Sequence, residues 1–232
     1  MIIDIVIGTH NRRDMLKRTI ECIQERTKTR YCLSIIDDAS TDGTADYVRS
    51  LGLRLYSREA QAGMYQNLID VAKVSRSDPV IYTDDDALCP LLDPDWLRRL
   101  LDAMAKRPKL LMLGLNNPSD NITGSRKPFA DDGEVIGSLY VSGHFLAMRR
   151  SLVLVSGGLF SKQEDRRSPN KTQAQHVRKN GGYVGYLKDV YTWHFCPQSI
   201  RRPNKNWDKI MVEPINMETL EPPDEYRQWV TK

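Results

Sequence analysis

Along the first half of the chain, short β-branched apolar runs alternate with longer stretches whose apolar residues recur at helical spacing. Ile2–Ile7 reads as a buried strand, ended by the polar turn Gly8-Thr9-His10-Asn11. Met15, Leu16, Thr19, Ile20 and Ile23 then share one helical face. Tyr31–Ile36 predicts a second strand, stopped by the polar run from Asp37 to Thr44, which supplies turn formers and a helix N-cap. Leu53–Tyr56, Val80–Thr83 and Leu110–Leu115 predict three further strands, and Met64–Lys73 an amphipathic helix. Asp93 and Pro94 predict the cap and first position of a helix running to about Lys106.

This alternation predicts an α/β fold with a mostly parallel central sheet flanked by helices. Ligands of such sheets bind outside the carboxyl ends of the strands. Three polar clusters fall there: Thr9/Asn11, Asp37/Asp38 and Asp84-Asp85-Asp86.

The second half is less regular. Residues 116–133 are polar and predict a loop, Val135–Val141 and Phe145–Met148 strands, and Arg150–Val155 a short helix. Residues 157–170 predict a loop, Thr172–Asn180 a helix ended by Gly181-Gly182, and Tyr183–Trp193 one or two strands. The expected organisation is a single catalytic domain over residues 2–210, divided at 115/116, followed by an extended tail over 211–232.

Composition narrows the class. At 40% hydrophobic and 28% charged over 232 residues, the chain is neither collagen-like nor low-complexity. Its apolar runs, such as Leu110–Leu113, fall far short of the roughly 20 residues that span a bilayer. With no basic, apolar leader at Met1, the expectation is a soluble, cytoplasmic protein. Cys22, Cys32, Cys89 and Cys196 show no CxxC spacing, so neither a zinc site nor a disulfide framework is expected. The net charge of +4 conceals a segment, 166–209, with ten lysines and arginines against two aspartates, a net +8. It suits a lid over a diphosphate, a surface for a polyanion such as nucleic acid, or a solvated face.

Three consecutive aspartates at a strand end are the sharpest feature. Adjacent carboxylates raise one another's pKa unless a cation is present, and hard cations such as Mg²⁺ and Mn²⁺ suit them. A solvated turn is the plainer reading.

The run Thr83-Asp84-Asp85-Asp86-Ala87-Leu88-Cys89-Pro90 resembles the DxD-type metal motif of nucleotide-sugar glycosyltransferases of the GT-A (Rossmann-like) fold, family 2 in particular. Ile5 to Arg12, Ile36 to Thr44, and Gly143 to Arg150 followed by Gly157-Gly158-Leu159-Phe160 resemble that family's other signatures, in order. The resemblance implies a metal-dependent transfer of sugar from a nucleoside diphosphate, UDP first among them, to an acceptor hydroxyl, with inversion. It implies Mn²⁺ or Mg²⁺ on Asp85 and Asp86, or on Asp84 with Asp86 by the literal DxD spacing, and on His194, the histidine after the last core strand. It also implies donor contacts from Thr9, Asn11, Arg12, Asp37, Asp38, Gln66, Asp84 and Asp85; in the lid reading of the basic segment, Arg201, Arg202 or Lys205 meets the diphosphate. Gln66 stands where many relatives carry an arginine. The general base falls on Asp165 or Glu164, after the Gly-Gly segment. His144 reads as a packing residue, with a ligand contact as the alternative. Glycan, lipid-linked sugar, protein and DNA all remain as acceptors, DNA as in viral base-modifying enzymes. The rival readings are a nucleotidyltransferase and a non-catalytic carbohydrate- or nucleic-acid-binding relative.

Overall fold

In the computed structural model, which describes residues 1–117, 128–159, 169–179 and 181–194, the apolar runs of the first half form one parallel layer. Strand β1 (Ile3–Thr9) pairs in parallel with β2 (Tyr31–Asp37) on one side and β4 (Val80–Asp84) on the other, and β3 (Arg54–Ser57) extends the layer beyond β2. Every residue of β1 is buried, because helices cover both faces of the sheet. Ile3, Ile5 and Ile7 point into a core shared with α1 (Arg13–Arg26) and α4 (Trp96–Ala105). Val6 and Ile36 point to the opposite core, under α3 (Met64–Val74). A short helix, α2 (Thr44–Ser50), links β2 to β3.

The remaining strands are β5 (Ala87–Leu88), β6 (Leu110–Asn116), β7 (Pro128–Asp131), β8 (Val135–Ser138), β9 (Leu146–Met148), β10 (Tyr183–Tyr191) and β11 (Trp193–His194). Helices α5 (Arg150–Leu159) and α6 (Pro169–Lys179) lie between β9 and β10 in the chain. The main sheet has nine strands in the order β3-β2-β1-β4-β9-β6-β10-β8-β7, and β11 pairs with β5 in a separate two-stranded ribbon. The layer is mostly parallel, but β9 runs antiparallel between β4 and β6, and β8 runs antiparallel to β10 and β7. Among the described residues no helix is long and apolar enough to cross a membrane.

The structure revises several expectations. Asp93 is not the cap of α4: Asp95 is, its Oδ1 accepting from the amides of Leu97 (3.0 Å) and Arg98 (3.1 Å). Its Oδ2 accepts from the amides of Lys28 and Thr29, so one buried carboxylate ties two elements together, whereas Asp93 is exposed. Residues 116–133 are not loop throughout, since β7 forms the sheet edge, its register set by pairing with β8. The interval 157–170 holds the end of α5 and the start of α6.

Candidate active site

The carboxyl ends of β1, β2 and β4 open into one cleft of about 550 Å³, lined by residues that include Thr9, Asn11, Arg12, Asp38, Asp84, Asp85, Asp86 and His194. Register puts them there. Thr9 pairs with Asp37 and Gly8 with Asp84, so each strand delivers its polar terminus to the same edge.

On the β2 side, Asp38 is engaged by three protein donors and keeps acceptor capacity on Oδ2. Its Oδ2 accepts from the Gly63 amide (2.7 Å), and its Oδ1 from the Ala62 amide (2.8 Å) and the Arg58 guanidinium (2.5 Å). Burial pushes its pKa up, but these donors outweigh it and hold the carboxyl below its usual range. Gly63 has φ +84°, a left-handed conformation that a side chain would strain, and it aims its amide at Asp38. Arg58 also bonds Asp70 through Nε and NH2 and Asn67 through NH1, so three elements close around one buried guanidinium. Asp37 does not line the cleft: its carboxylate accepts from Ser57 Oγ (2.8 Å) and the Ser40 amide (3.2 Å).

On the β4 side the carboxylates crowd one another. Thr9 Oγ1 donates to Asp85 Oδ2 at 2.6 Å, and Thr19, on the buried face of α1, donates to the Asp85 carbonyl at 2.8 Å. Arg12 NH1 lies 2.7 Å from Asp86 Oδ2 and 3.3 Å from Asp85 Oδ1. Burial, with the charges of Asp86 and Asp85 adding to it, pushes Asp84 up to about 7. Burial and the Asp86 charge push Asp85 up to about 6, against the Thr9 hydrogen bond and Arg12.

The β5–β11 ribbon carries His194 across to this cluster. His194 pairs with Ala87, beside Asp86, and its Nε2 lies 3.0 Å from Asp86 Oδ1. His144 joins it, its ring stacked on His194 with centroids 4.1 Å apart. Ligand atoms of Asp86, His144 and His194 lie within 4.8 Å of one another, a mixed oxygen and imidazole set that suits a divalent cation such as Mn²⁺. His144 Nδ1 also lies 3.7 Å from Asp84 Oδ2.

Close packing shapes the floor. A Cβ on Gly8 would lie 2.5 Å from Tyr82 Oη and 2.8 Å from Asn67 Nδ2, so only glycine fits. Tyr82 in turn donates to Asp84 Oδ1 at 3.1 Å.

The chain belongs to glycosyl transferase family 2. That family's model matches residues 4–153, which contain β1, β2, β4 and the three aspartates. Among solved structures the chain is similar to the mannosyltransferase PcManGT from Pyrobaculum calidifontis, solved with GDP-Man and Mn²⁺, at 18% identity and TM-score 0.69 over 99% of this chain and 68% of that one. It is also similar to GalNAc-T7, solved with UDP, GalNAc and Mn²⁺, at 17% identity and TM-score 0.62 over 83% of this chain and 43% of that one. A third is S. aureus TarS 1-349 in complex with UDP, at 15% identity and TM-score 0.63 over 83% and 60%. The chain thus spans less than two thirds of the last two. No curated protein matches the sequence. The expectation of a glycosyltransferase with a mostly parallel GT-A sheet is borne out.

The geometry brings Thr9, Asn11, Arg12, Asp38, Asp84, Asp85, Asp86 and His194 of this family 2 chain together. Gln66 turns its amide to Asp70 (3.2 Å), while its neighbours Gly63 and Asn67 line the cleft with Gln61. Glu164, Asp165, Arg201 and Arg202 lie outside the described residues, as do 166–168, 180 and 195–209 of the basic segment. Sequence reasoning missed Arg58, Asn67 and the ligand geometry of His144. One signal was available for Arg58: it stands one residue beyond β3, on the same sheet edge as Asp38.

Proposed function

We propose that this cleft is the donor site of a metal-dependent transferase that moves a sugar from a nucleoside diphosphate to an acceptor hydroxyl. The observation that carries the reading is the convergence on one cleft of Asp38, held ionised by protein donors, and of the Asp86–His144–His194 set. Asp86, His194 and His144 would hold Mn²⁺ or Mg²⁺, with Asp85 beside them. The cation supplies charge neutralisation to a departing diphosphate. The titration of Asp84 and Asp85 near neutrality fits a site built to receive positive charge.

The chain's own residues would divide the remaining work. Asp38 accepts from the donor's base or ribose, Asn11 lines the same pocket, and Thr9 holds Asp85 in place. Residues 2–115 form the donor half and 116–210 the acceptor half of one domain, with 211–232 as a tail. Asp165 or Glu164 takes the proton from the acceptor, the outcome is inversion, and Arg201 and Arg202 close on the diphosphate. GDP-Man and UDP in the similar structures support a nucleoside diphosphate donor, the nucleotide itself being open between UDP and GDP.

Calorimetry with UDP and with GDP, in Mn²⁺ and in EDTA, tests this reading. Binding of one nucleotide that requires metal is expected. If neither binds in a metal-linked way, the cleft is not a donor site, and a non-catalytic relative becomes the better reading.

A further inference from the structure

Arg12 occupies an unusual position for a donor-binding cation. Its guanidinium lies against Asp86, the carboxylate of the metal set, at 2.7 Å and against the adjacent Asp85 at 3.3 Å. Those side chains are 3% and 4% exposed, whereas Arg12 keeps 27% of its surface and reaches in from the rim. Among the described residues lining the cleft, Arg12 is the one lysine or arginine, and it meets two of the four aspartates there. The contact uses Asp86 Oδ2, while Oδ1 faces His194, so guanidinium and cation would sit on opposite oxygens of one carboxylate. Two positive groups sharing a buried carboxylate repel through a medium that screens them poorly. A diphosphate removes that conflict, because a guanidinium matches its oxygens as well as it matches a carboxylate.

We propose that Arg12 is a relay cation that couples metal binding to donor binding: it neutralises Asp85 and Asp86 when no donor is present and turns onto the donor's diphosphate when one arrives. The inference rests on the donor-site reading above and adds an order to it. Mn²⁺ alone meets a site already partly neutralised and binds weakly; Mn²⁺ with nucleoside diphosphate meets carboxylates that Arg12 has released. By linkage the nucleotide tightens the metal by the same factor as the metal tightens the nucleotide.

The test measures Mn²⁺ affinity from the free-ion EPR signal, with and without UDP or GDP, for the wild-type chain, Arg12→Met and Arg12→Lys. In the wild type, nucleotide should tighten Mn²⁺ about tenfold or more, within the usual range of coupling between sites. Arg12→Met should bind Mn²⁺ alone about tenfold more tightly than wild type and lose most of the nucleotide effect. Arg12→Lys, which keeps the charge but not the fork, should fall between them and guards against a folding defect in the methionine variant. An Arg12→Met protein that binds Mn²⁺ alone no better than wild type, or keeps the full nucleotide effect, overturns the relay while leaving the donor-site reading intact. Failure of every protein to bind Mn²⁺ or nucleotide overturns both.

Discussion

Two acidic groups stand at the carboxyl ends of the strands on either side of β1, and the fold treats them in opposite ways. Asp38, after β2, is buried yet held below its ordinary pKa, because two backbone amides and Arg58 converge on it. Asp84 and Asp85, at and after the end of β4, are pushed up to about 7 and about 6, because burial and the neighbouring carboxylate charges outweigh His194 and Tyr82 at Asp84, and Thr9 and Arg12 at Asp85. One carboxylate is satisfied by the protein's own donors; the other cluster has Arg12 against it and is still left short of positive charge. Burial alone therefore does not mark a metal site. The deciding quantity is whether the chain has supplied enough donors of its own.

The largest effect should come from removing the cation that completes the first group. Arg58 is 10% exposed and holds two carboxylates that are 2% and 1% exposed. Arg58→Met takes the buried cation from both, leaving Asp38 to its two amides and Asp70 to Lys73, and should cost about 3 kcal/mol in urea unfolding. A loss under 1 kcal/mol would mean that the amides alone suffice for Asp38. Asp86→Asn should have a different signature: Mn²⁺ binding should weaken by about 100-fold, the loss expected when a first ligand rather than an outer partner is removed, with little change in unfolding free energy. Equal losses of stability in both variants would erase the contrast between the groups.

Gly8→Ala probes the packing beneath the second group. The new methyl would press on Tyr82 Oη and Asn67 Nδ2, at a cost of about 1–3 kcal/mol. Adding Tyr82→Phe should recover part of it in a double-mutant cycle, since the phenolic oxygen is the nearest obstacle.

The smallest and sharpest contrast is in pH. Without metal, the folded state takes up protons on Asp84 and Asp85 near pH 6–7, whereas the unfolded carboxyls wait for about pH 4. Folding then binds protons across that window, so stability in EDTA should rise as pH falls from 8 to 5. Asp38 acts in the opposite sense and lower down: its contribution is present above its unfolded pKa and is lost as pH falls through its depressed folded value. Asp84→Asn should therefore stabilise the metal-free protein at pH 8 by roughly 1–2 kcal/mol, discounted for residual solvent, and flatten its Tm profile between pH 8 and 5. A flat wild-type profile in that window would show that Arg12 already neutralises the cluster.

Much of this site was legible in the order of residues. A β-branched run buried on both faces has nowhere to place polar side chains except its ends, so Thr9, Asp38 and the three aspartates could be assigned to one sheet edge by pattern alone. Helix caps were less legible. Asp93 and Asp95 both precede α4 with the right chemistry, and the choice went to Asp95, whose second oxygen also meets the amides of Lys28 and Thr29. The antiparallel β9 and the edge strand β7 were invisible as pairings, since a strand's partners are chosen by packing between distant segments and not by its own composition.

The local sequence by itself determined the parallel half of the sheet, the strand ends that carry oxygen ligands, and membership in a family whose chemistry uses them. Those features depend on period and burial, which a few residues encode. Only the tertiary structure decided which charges meet. His194 reaches Asp86 through a two-residue ribbon with β5, His144 stacks on it, Arg58 completes Asp38 and Arg12 lies on the metal carboxylates. Each of these contacts joins residues 20 or more positions apart, and electrostatic energy depends on distance in space, which chain position does not record.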